Sequence, residues 1–355
     1  MKIAILGNAA SVHVVRWANG LADRGVVVHV ISVHKSSAEM ASGVNVHELE
    51  MKAPVGYLAA APQLRKLLKV IRPEVLNAHY ATGYGLLGRL SGYKPFLLSV
   101  WGSDIYLFPQ KTFVHRALLR ANLKAASAIA STSLCMSNAA HIVFPHKNVF
   151  VTPFGIDELK FSPSKLARDP SRMVVGTVKS LKYEYGIDTL IKAFSIVLDD
   201  IGDEASLYLE ITGAGGDLEQ LRGLVTELRI SDRVIFHGQV AHSRVPEMLG
   251  RLDIFVALSR SESFGVAILE ASACEKPVVV SDADGPREVT IDGETGFVVK
   301  KEDPVAAAKA ILKLIRNAEL RSSMGRAGRA HVLKNYTWEK SIDAMLNAYE
   351  AVSTF

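Results

Sequence analysis

Apolar runs with no polar alternation recur along this chain, each followed by a stretch with helical spacing, and the series breaks once and restarts. Residues 2–6, 26–33, 44–48, 75–79, 96–100, 128–131 and 149–152 read as strands. Residues 12–24, stopped by Gly25, and 64–71 place apolar side chains at helical intervals. Strands that are apolar on both faces must be covered on both, which predicts parallel sheets under helices. Pro153-Phe154-Gly155-Ile156-Asp157 interrupts the pattern, and Phe161-Ser162-Pro163-Ser164 prolongs the interruption, so the linker between two domains is expected there. The alternation resumes with strands at 173–178, 206–212, 234–236, 254–257, 278–280 and 296–299. Helices are expected at 187–198, 218–228, 245–249 and 266–274, then three closing ones at 304–316, 318–333 and 338–352. At 355 residues the chain exceeds one comfortable core. The expectation is therefore α/β with two doubly wound domains, 1–160 and 166–335. They would face across a cleft at the strand C-termini, where such sheets bind ligands.

Composition narrows the class. Apolar residues make up 49% and charged residues 22%, ordinary for a soluble globular protein. No apolar run reaches the roughly 18 residues of a membrane helix. The start, Met1-Lys2-Ile3-Ala4-Ile5-Leu6-Gly7, reads as a buried first strand and not a signal peptide. Cys135 and Cys274 lie far apart and give neither metal spacing nor a disulfide framework, so a reducing cytoplasm is expected. The net charge of +5 is uneven: residues 1–165 hold 18 Lys and Arg against 8 Asp and Glu, and the rest 23 against 28. A basic first half fits an acidic partner such as anionic lipid headgroups, a lipid-linked phosphate or nucleic acid; a scattered solvated surface is the other reading. Residues 64–72 and 113–124 mix basic and apolar side chains at helical spacing. Such helices can lie on an anionic membrane, and they are equally normal outer helices of an α/β domain. No RNA-binding motif or aromatic–basic interleaving occurs, so nucleic acid is not an expected partner.

The sharpest local pattern is Glu262-Ser263-Phe264-Gly265-Val266-Ala267-Ile268-Leu269-Glu270, which follows an apolar run ending in Ser259-Arg260-Ser261. It reads as strand, polar loop, helix. Gly265 and small residues at a helix start leave backbone N–H groups free to face an anion. The two carboxylates would lie roughly 8–12 Å apart along the axis, a span that suits a nucleoside diphosphate sugar. The alternative is an amphipathic helix with two solvated acids.

Over nearly its full length the chain resembles family 4 retaining glycosyltransferases of the GT-B fold, the bacterial group 1 type. Pro153-Phe154-Gly155-Ile156-Asp157 and Val175-Gly176-Thr177-Val178-Lys179-Ser180-Leu181-Lys182 open the likeness. Ile211-Thr212-Gly213-Ala214-Gly215, Phe236-His237-Gly238-Gln239-Val240 and Leu252-Asp253-Ile254-Phe255-Val256 follow in order. The paired glutamates come next, then Pro277-Val278-Val279-Val280, Gly285-Pro286-Arg287-Glu288-Val289 and Asp292-Gly293-Glu294-Thr295-Gly296-Phe297-Val298-Val299. The resemblance implies two Rossmann-like domains, the first for an acceptor and the second for a nucleotide sugar. It also implies that a helix at about 338–355 crosses back to the first domain.

Residue by residue, the resemblance sets Lys179 and Lys182 on the donor pyrophosphate, where relatives carry an Arg and a Lys; the usual Lys before Gly186 is Tyr185 here. Cations and backbone donors at that point stabilise the charge a leaving diphosphate gains. Phe264, Gly265, Val266 and Ala267 would offer backbone N–H groups to phosphate and sugar, and Glu270 would hold the ribose hydroxyls. Glu262 would contact the donor sugar near the reacting centre, not as one of two carboxylates flanking a single bond. Val240 and its neighbours would pass under the nucleobase. Gly213 and Gly7 close strands toward the cleft, although Gly7-Asn8-Ala9-Ala10-Ser11 lacks the paired glycines of many relatives and reads equally as a turn with Ser11 as helix cap. In the first domain Trp101 stands where many relatives have His at the acceptor site, which leaves His79 and Asp104, with His13 behind them, as groups able to share that task. Trp338 reads as packing of the final helix.

No carboxylate cluster resembles a Mg²⁺ site, Asp282 and Asp284 read as loop residues, and metal independence with no cofactor is expected. The implied reaction moves a sugar from a nucleotide donor, UDP-linked by preference and GDP-mannose as the variant. The acceptor would be a glycan or lipid-linked molecule of surface polysaccharide or glycolipid synthesis. The enzyme is expected in the cytoplasm, peripheral on the inner face of the cell membrane. A nucleotide-sugar 2-epimerase, which needs acids and bases around the sugar ring, and a non-catalytic nucleotide-sugar-binding protein are the rival readings. A phosphorylase would need a pyridoxal-phosphate lysine, for which no segment is present.

Overall fold

The computed structural model describes residues 1–36, 39–164, 172–202 and 206–355. The chain divides into two compact units, one made of Met1–Pro153 and Glu339–Phe355, the other of Phe154–Trp338.

The first unit is built on a parallel seven-stranded sheet: β1 Lys2–Leu6, β2 Val27–Ser32, β3 Asn45–Glu48, β4 Val75–His79, β5 Phe96–Val100, β6 Ala128–Ser131 and β7 Val149–Val151, in the order β3-β2-β1-β4-β5-β6-β7. Ile5 registers with Val30 on one side and Asn77 on the other. Every residue of β4, β5 and β6 is buried, which is why these strands lack alternation in the sequence. The chain leaves β1 first toward β2 and later returns to lay β4 on its other edge, so the carboxyl ends of β1 and β4 border the switch point. The terminal helix Trp338–Ser353 belongs to this unit from Glu339 onward; Tyr349 is fully buried and Asp343 pairs with Arg24 at 2.7 Å.

The second unit has a parallel six-stranded sheet: β8 Met173–Val178, β9 Leu207–Thr212, β10 Val234–Gly238, β11 Ile254–Ala257, β12 Val278–Ser281 and β13 Gly296–Val299, ordered β10-β9-β8-β11-β12-β13. Its switch point falls between β8 and β11, so the loops after these two strands border it. The helix Ile187–Ile201 buries Leu190, Ile191, Phe194 and Val197 in one core with Val175, Leu209 and Val256.

Two readings of the sequence change. The division falls at Pro153–Phe154 and not at 160, because Ile156 is drawn to the second unit by a bridge to Thr337 and by hydrogen bonds with Tyr336 and Trp338. The expected start at 166 lies outside the described residues. Asp284 begins a short helix, Asp284–Val289, and is not a loop residue. Among the described residues, no helix is long and apolar enough to cross a membrane.

Candidate active site

In the second unit, the loops that leave β8 and β11 are fixed against their neighbours before any charged side chain is considered. Gly213, just past β9, has φ +146°, and a Cβ there would stand 1.9 Å from the Lys179 carbonyl oxygen. Only glycine lets the β9 turn press this closely on the backbone of Lys179. The Gly213 N–H donates to the Gly238 carbonyl at 2.9 Å, which ties in the β10 turn. Arg260 joins the β11 loop to the β8 loop. Its guanidinium forks onto Asp188 at 2.8 and 2.7 Å, donates to the Tyr183 carbonyl at 2.7 Å and lies 4.0 Å from the Tyr183 ring centre. Burial opposes ionisation of Asp188, and Arg260 outweighs it, holding the carboxyl below its usual range.

Between these loops Lys179 donates to Glu262 in an ion pair. The ammonium also lies 4.5 Å from the ring centre of Tyr185, the residue in place of the family's lysine. The other Glu262 oxygen accepts from the Ser259 hydroxyl at 2.7 Å, and the Glu262 carbonyl accepts from the Gly285 N–H at 3.0 Å. Lys182 is exposed three residues beyond Lys179.

The helix Val266–Ala273 starts from Gly265, whose φ of +114° few other residues adopt. Among the described residues, no acceptor meets the backbone N–H groups of Phe264, Gly265, Val266 or Ala267, so four donors stand open at the positive end of the helix. Glu270, one turn further, is buried, and one of its oxygens lies 3.0 Å from His242 Nε2. His242 escaped the sequence reading; its signal was position, two residues after Val240. Val240 is partly buried beyond Gly238. His237 before it is held at 2.9 Å by Glu210, which also binds Arg251 at 2.8 Å and Arg172 at 3.1 Å.

In the first unit the candidates gather around Trp101. The rings of His79, His13 and Tyr80 meet the Trp101 ring edge-on at 5.1, 5.6 and 6.4 Å. His79 is fully buried at the end of β4, neither ring nitrogen has a hydrogen-bond partner among the described residues, and burial pushes its pKa down to about 3. Asp104 is also fully buried. Its carboxylate accepts from the backbone N–H groups of Ala81 at 2.9 Å, Gly102 at 2.7 Å and Trp101 at 3.1 Å. Burial raises the Asp104 carboxyl and those bonds oppose the rise. The geometry thus gives Asp104 the task of holding the Trp101 loop. Gly7 donates its N–H to the Ile31 carbonyl at 3.1 Å, and a Cβ there would stand 3.0 Å from Val14 and 3.4 Å from the Cβ of His79. Ser11 occupies the helix cap position, with no side-chain capping bond among the described residues. Among the described residues, no three His, Cys, Asp or Glu side chains gather as a metal-binding group.

Solved structures share this architecture over the whole chain. Sucrose-phosphate synthase of Thermosynechococcus elongatus has a TM-score of 0.81 at 20% identity, covering 100% of this chain and 99% of that one. HepE of Anabaena, solved with UDP and glucose, has a TM-score of 0.81 at 18% identity, covering 99% of this chain and 100% of that one. Two parallel Rossmann-like units of this kind make up the GT-B fold.

The family model "Glycosyl transferases group 1" matches residues 160–331, and "Glycosyl transferase 4-like" matches residues 2–133. The chain belongs to the group 1 glycosyltransferases of family 4 and is an enzyme of hexosyltransferase type. N-acetyl-alpha-D-glucosaminyl L-malate synthase of Bacillus anthracis is 24% identical over 353 residues, 94% of this chain and 90% of that protein. A GDP-mannose-dependent alpha-(1-6)-phosphatidylinositol monomannoside mannosyltransferase of Mycolicibacterium smegmatis is 31% identical over 201 residues, 52% of each chain.

Proposed function

We propose that this enzyme is a retaining glycosyltransferase that takes a hexose from a nucleoside diphosphate, UDP-linked in the first instance, and gives it to a hydroxyl of a glycan or lipid-linked acceptor. The observation that carries this reading is the Lys179–Glu262 pair beside four open N–H groups at the start of the Val266–Ala273 helix. A cation, a carboxylate and an anion-binding helix end within one loop cluster match a sugar joined to a diphosphate.

In this reading the phosphates take the open N–H groups and draw Lys179 and Lys182 toward them. Lys179 then leaves Glu262, whose carboxylate, still held by Ser259, receives the sugar hydroxyls. Glu270 takes the ribose, and the segment through Val240 runs under the base. As the anomeric C–O bond breaks, the diphosphate gains charge and the lysines and N–H groups meet it. The acceptor oxygen bonds to the same face of the anomeric carbon, and its proton passes to the leaving phosphate oxygen. No metal is called on. In the first unit, Gly7, His79 and Asp104 set the wall and loop around Trp101, whose ring offers a face to an acceptor sugar.

The complex of HepE with UDP and glucose supports a UDP-sugar, and the GDP-mannose-dependent relative supports GDP-mannose as the second choice. For the lipid-linked acceptor, the helix Phe113–Ala125 exposes Phe113 and Val114 beside Lys111 and Arg116, a composition suited to an anionic membrane surface. Salt-sensitive flotation with anionic liposomes tests that part. Thermal shift against UDP, GDP and ADP and their sugars tests the donor: one base should stabilise the protein clearly above the others. Stabilisation by none would remove the nucleotide-sugar reading.

A further inference from the structure

Glu270 is a buried carboxylate with a single side-chain donor among the described residues. One oxygen faces His242 Nε2 at 3.0 Å, and on the far side of the ring His242 Nδ1 lies 3.1 Å from Lys160 Nζ. An ammonium has only hydrogens to give, so Nδ1 accepts and the ring proton sits on Nε2, where it donates to Glu270. The chain of donors therefore runs Lys160 to His242 to Glu270, and it has one direction.

The relay is braced. The Phe161 ring packs on His242 with ring centres 5.7 Å apart, and Lys160 lies 5.6 Å from the centre of the Phe161 ring. Arg329 donates to the Phe161 carbonyl at 3.2 Å and also to the Ala273 carbonyl, at the end of the helix that carries Glu270. The segment bearing Lys160 and Phe161 and the helix bearing Glu270 are thus held by one guanidinium. His242 itself opens the short 3₁₀ turn His242–Arg244, directly after the segment expected to pass under the base.

We infer that His242 is a positioning residue for nucleotide recognition: it fixes one oxygen of Glu270 and leaves the remaining lone pairs oriented toward the two ribose hydroxyls, while Lys160 selects the ring tautomer that can do so. This rests on the nucleotide-sugar reading of the same site and deepens it. A carboxylate free to rotate would lose the directional match to a vicinal diol; one clamped on a single oxygen keeps it. His242 touches the ribose only through Glu270, so its removal should act on recognition of the ribose and much less on the bond-breaking step.

The test uses the full chain and isothermal titration with UDP, GDP and ADP, taking forward the nucleotide that wild type binds best, together with its 2′-deoxy and 3′-deoxy forms. His242→Ala should weaken binding of the ribonucleotide about tenfold, and the deoxy forms by about twofold or less, so that discrimination between them collapses. His242→Gln, whose amide can still donate to Glu270, should recover most of the loss. Lys160→Met should fall between wild type and His242→Ala. In a Glu270→Ala background His242→Ala should add no more than about twofold, since the residue it positions is gone. With a turnover assay, KM for the donor should rise more than kcat falls. Equal weakening of ribo and deoxy forms by His242→Ala, or full additivity with Glu270→Ala, would overturn the inference and leave a scaffold role. Binding unchanged in His242→Ala would overturn it outright while leaving the donor reading intact. Failure of wild type to bind any of the three nucleotides would instead overturn the donor reading and this inference with it.

Discussion

Lys179 and Glu262, 83 residues apart in sequence, form an ion pair between the loops that leave β8 and β11, the two strands at the switch point of the second unit. Each neutralises the other in this structure. On the proposed reading the pair places a cation for the phosphates and a carboxylate for the sugar within one contact, and donor binding exchanges that contact.

Removing either partner should be costly in turnover. Lys179→Ala and Glu262→Gln should each lower kcat/KM about 10–100-fold, as expected for loss of one charged hydrogen-bond partner. Because each single variant also frees the other residue, the double variant should lose less than the product of the two. Nucleoside diphosphate release measures this; independent, multiplying losses would show that the pair has no shared role.

Arg260 should matter without touching the donor. It joins Asp188, Glu302 and the Tyr183 carbonyl, with its side chain 13% exposed. Arg260→Ala should loosen the Lys179–Tyr185 loop, seen as faster amide hydrogen exchange there and a higher donor KM. Arg260→Lys should restore little, since a lysine cannot fork onto Asp188. Exchange rates unchanged in both variants would contradict the clamp.

Two nearby glycines should respond differently. Gly213→Ala drives a methyl toward the Lys179 carbonyl in a backbone conformation alanine resists, and should cost at least about 1–3 kcal/mol, read as a lower urea midpoint. Gly216→Ala, with nothing within 4 Å and no positive φ, should leave the midpoint near wild type.

Much of this was legible early. β5 and β12 stand out because strands covered on both faces are almost wholly apolar, and the helix start at Gly265 because small residues follow a polar loop. The short helices Gly56–Ala59 and Ser103–Tyr106 were not legible, since four residues carry no periodicity. Asp104 had the position of a reacting acid, and only packing reveals that backbone N–H groups surround it. Ile156 joins the second unit by pairing with Thr337 far along the chain, which no local pattern records. His242 carries no signal in the sequence beyond its position, because only the fold brings Lys160 and Glu270 to its two nitrogens.

His79 predicts a pH dependence. Burial lowers its pKa from 6.5 to about 3, with His13 adding to the effect. The unfolded chain therefore binds a proton below about pH 6.5 that the folded chain refuses until about pH 3. The folded state keeps its full advantage above 6.5 and loses it progressively as pH falls through that window. His79→Asn should flatten the slope of stability against pH by up to about 1.4 kcal/mol per pH unit between pH 6 and 4. Part of the slope should remain, because burial also lowers His29, His34, His47 and His331. An unaltered slope in urea titrations would mean that His79 is reached by water in the folded protein.

The central claim is that one loop and helix, from Glu262 to Glu270, hold a nucleotide sugar by its two ends. The most direct measurement is donor affinity and turnover of Glu270→Ala and Glu262→Ala beside wild type, with the nucleotide sugar that stabilises wild type most. Glu270→Ala should weaken binding of both the donor and its bare nucleoside diphosphate about 10–100-fold while retaining turnover at saturation; Glu262→Ala should bind the bare diphosphate normally and lose turnover by a similar factor. Wild-type affinity for the diphosphate in Glu270→Ala, together with wild-type turnover in Glu262→Ala, would contradict the account.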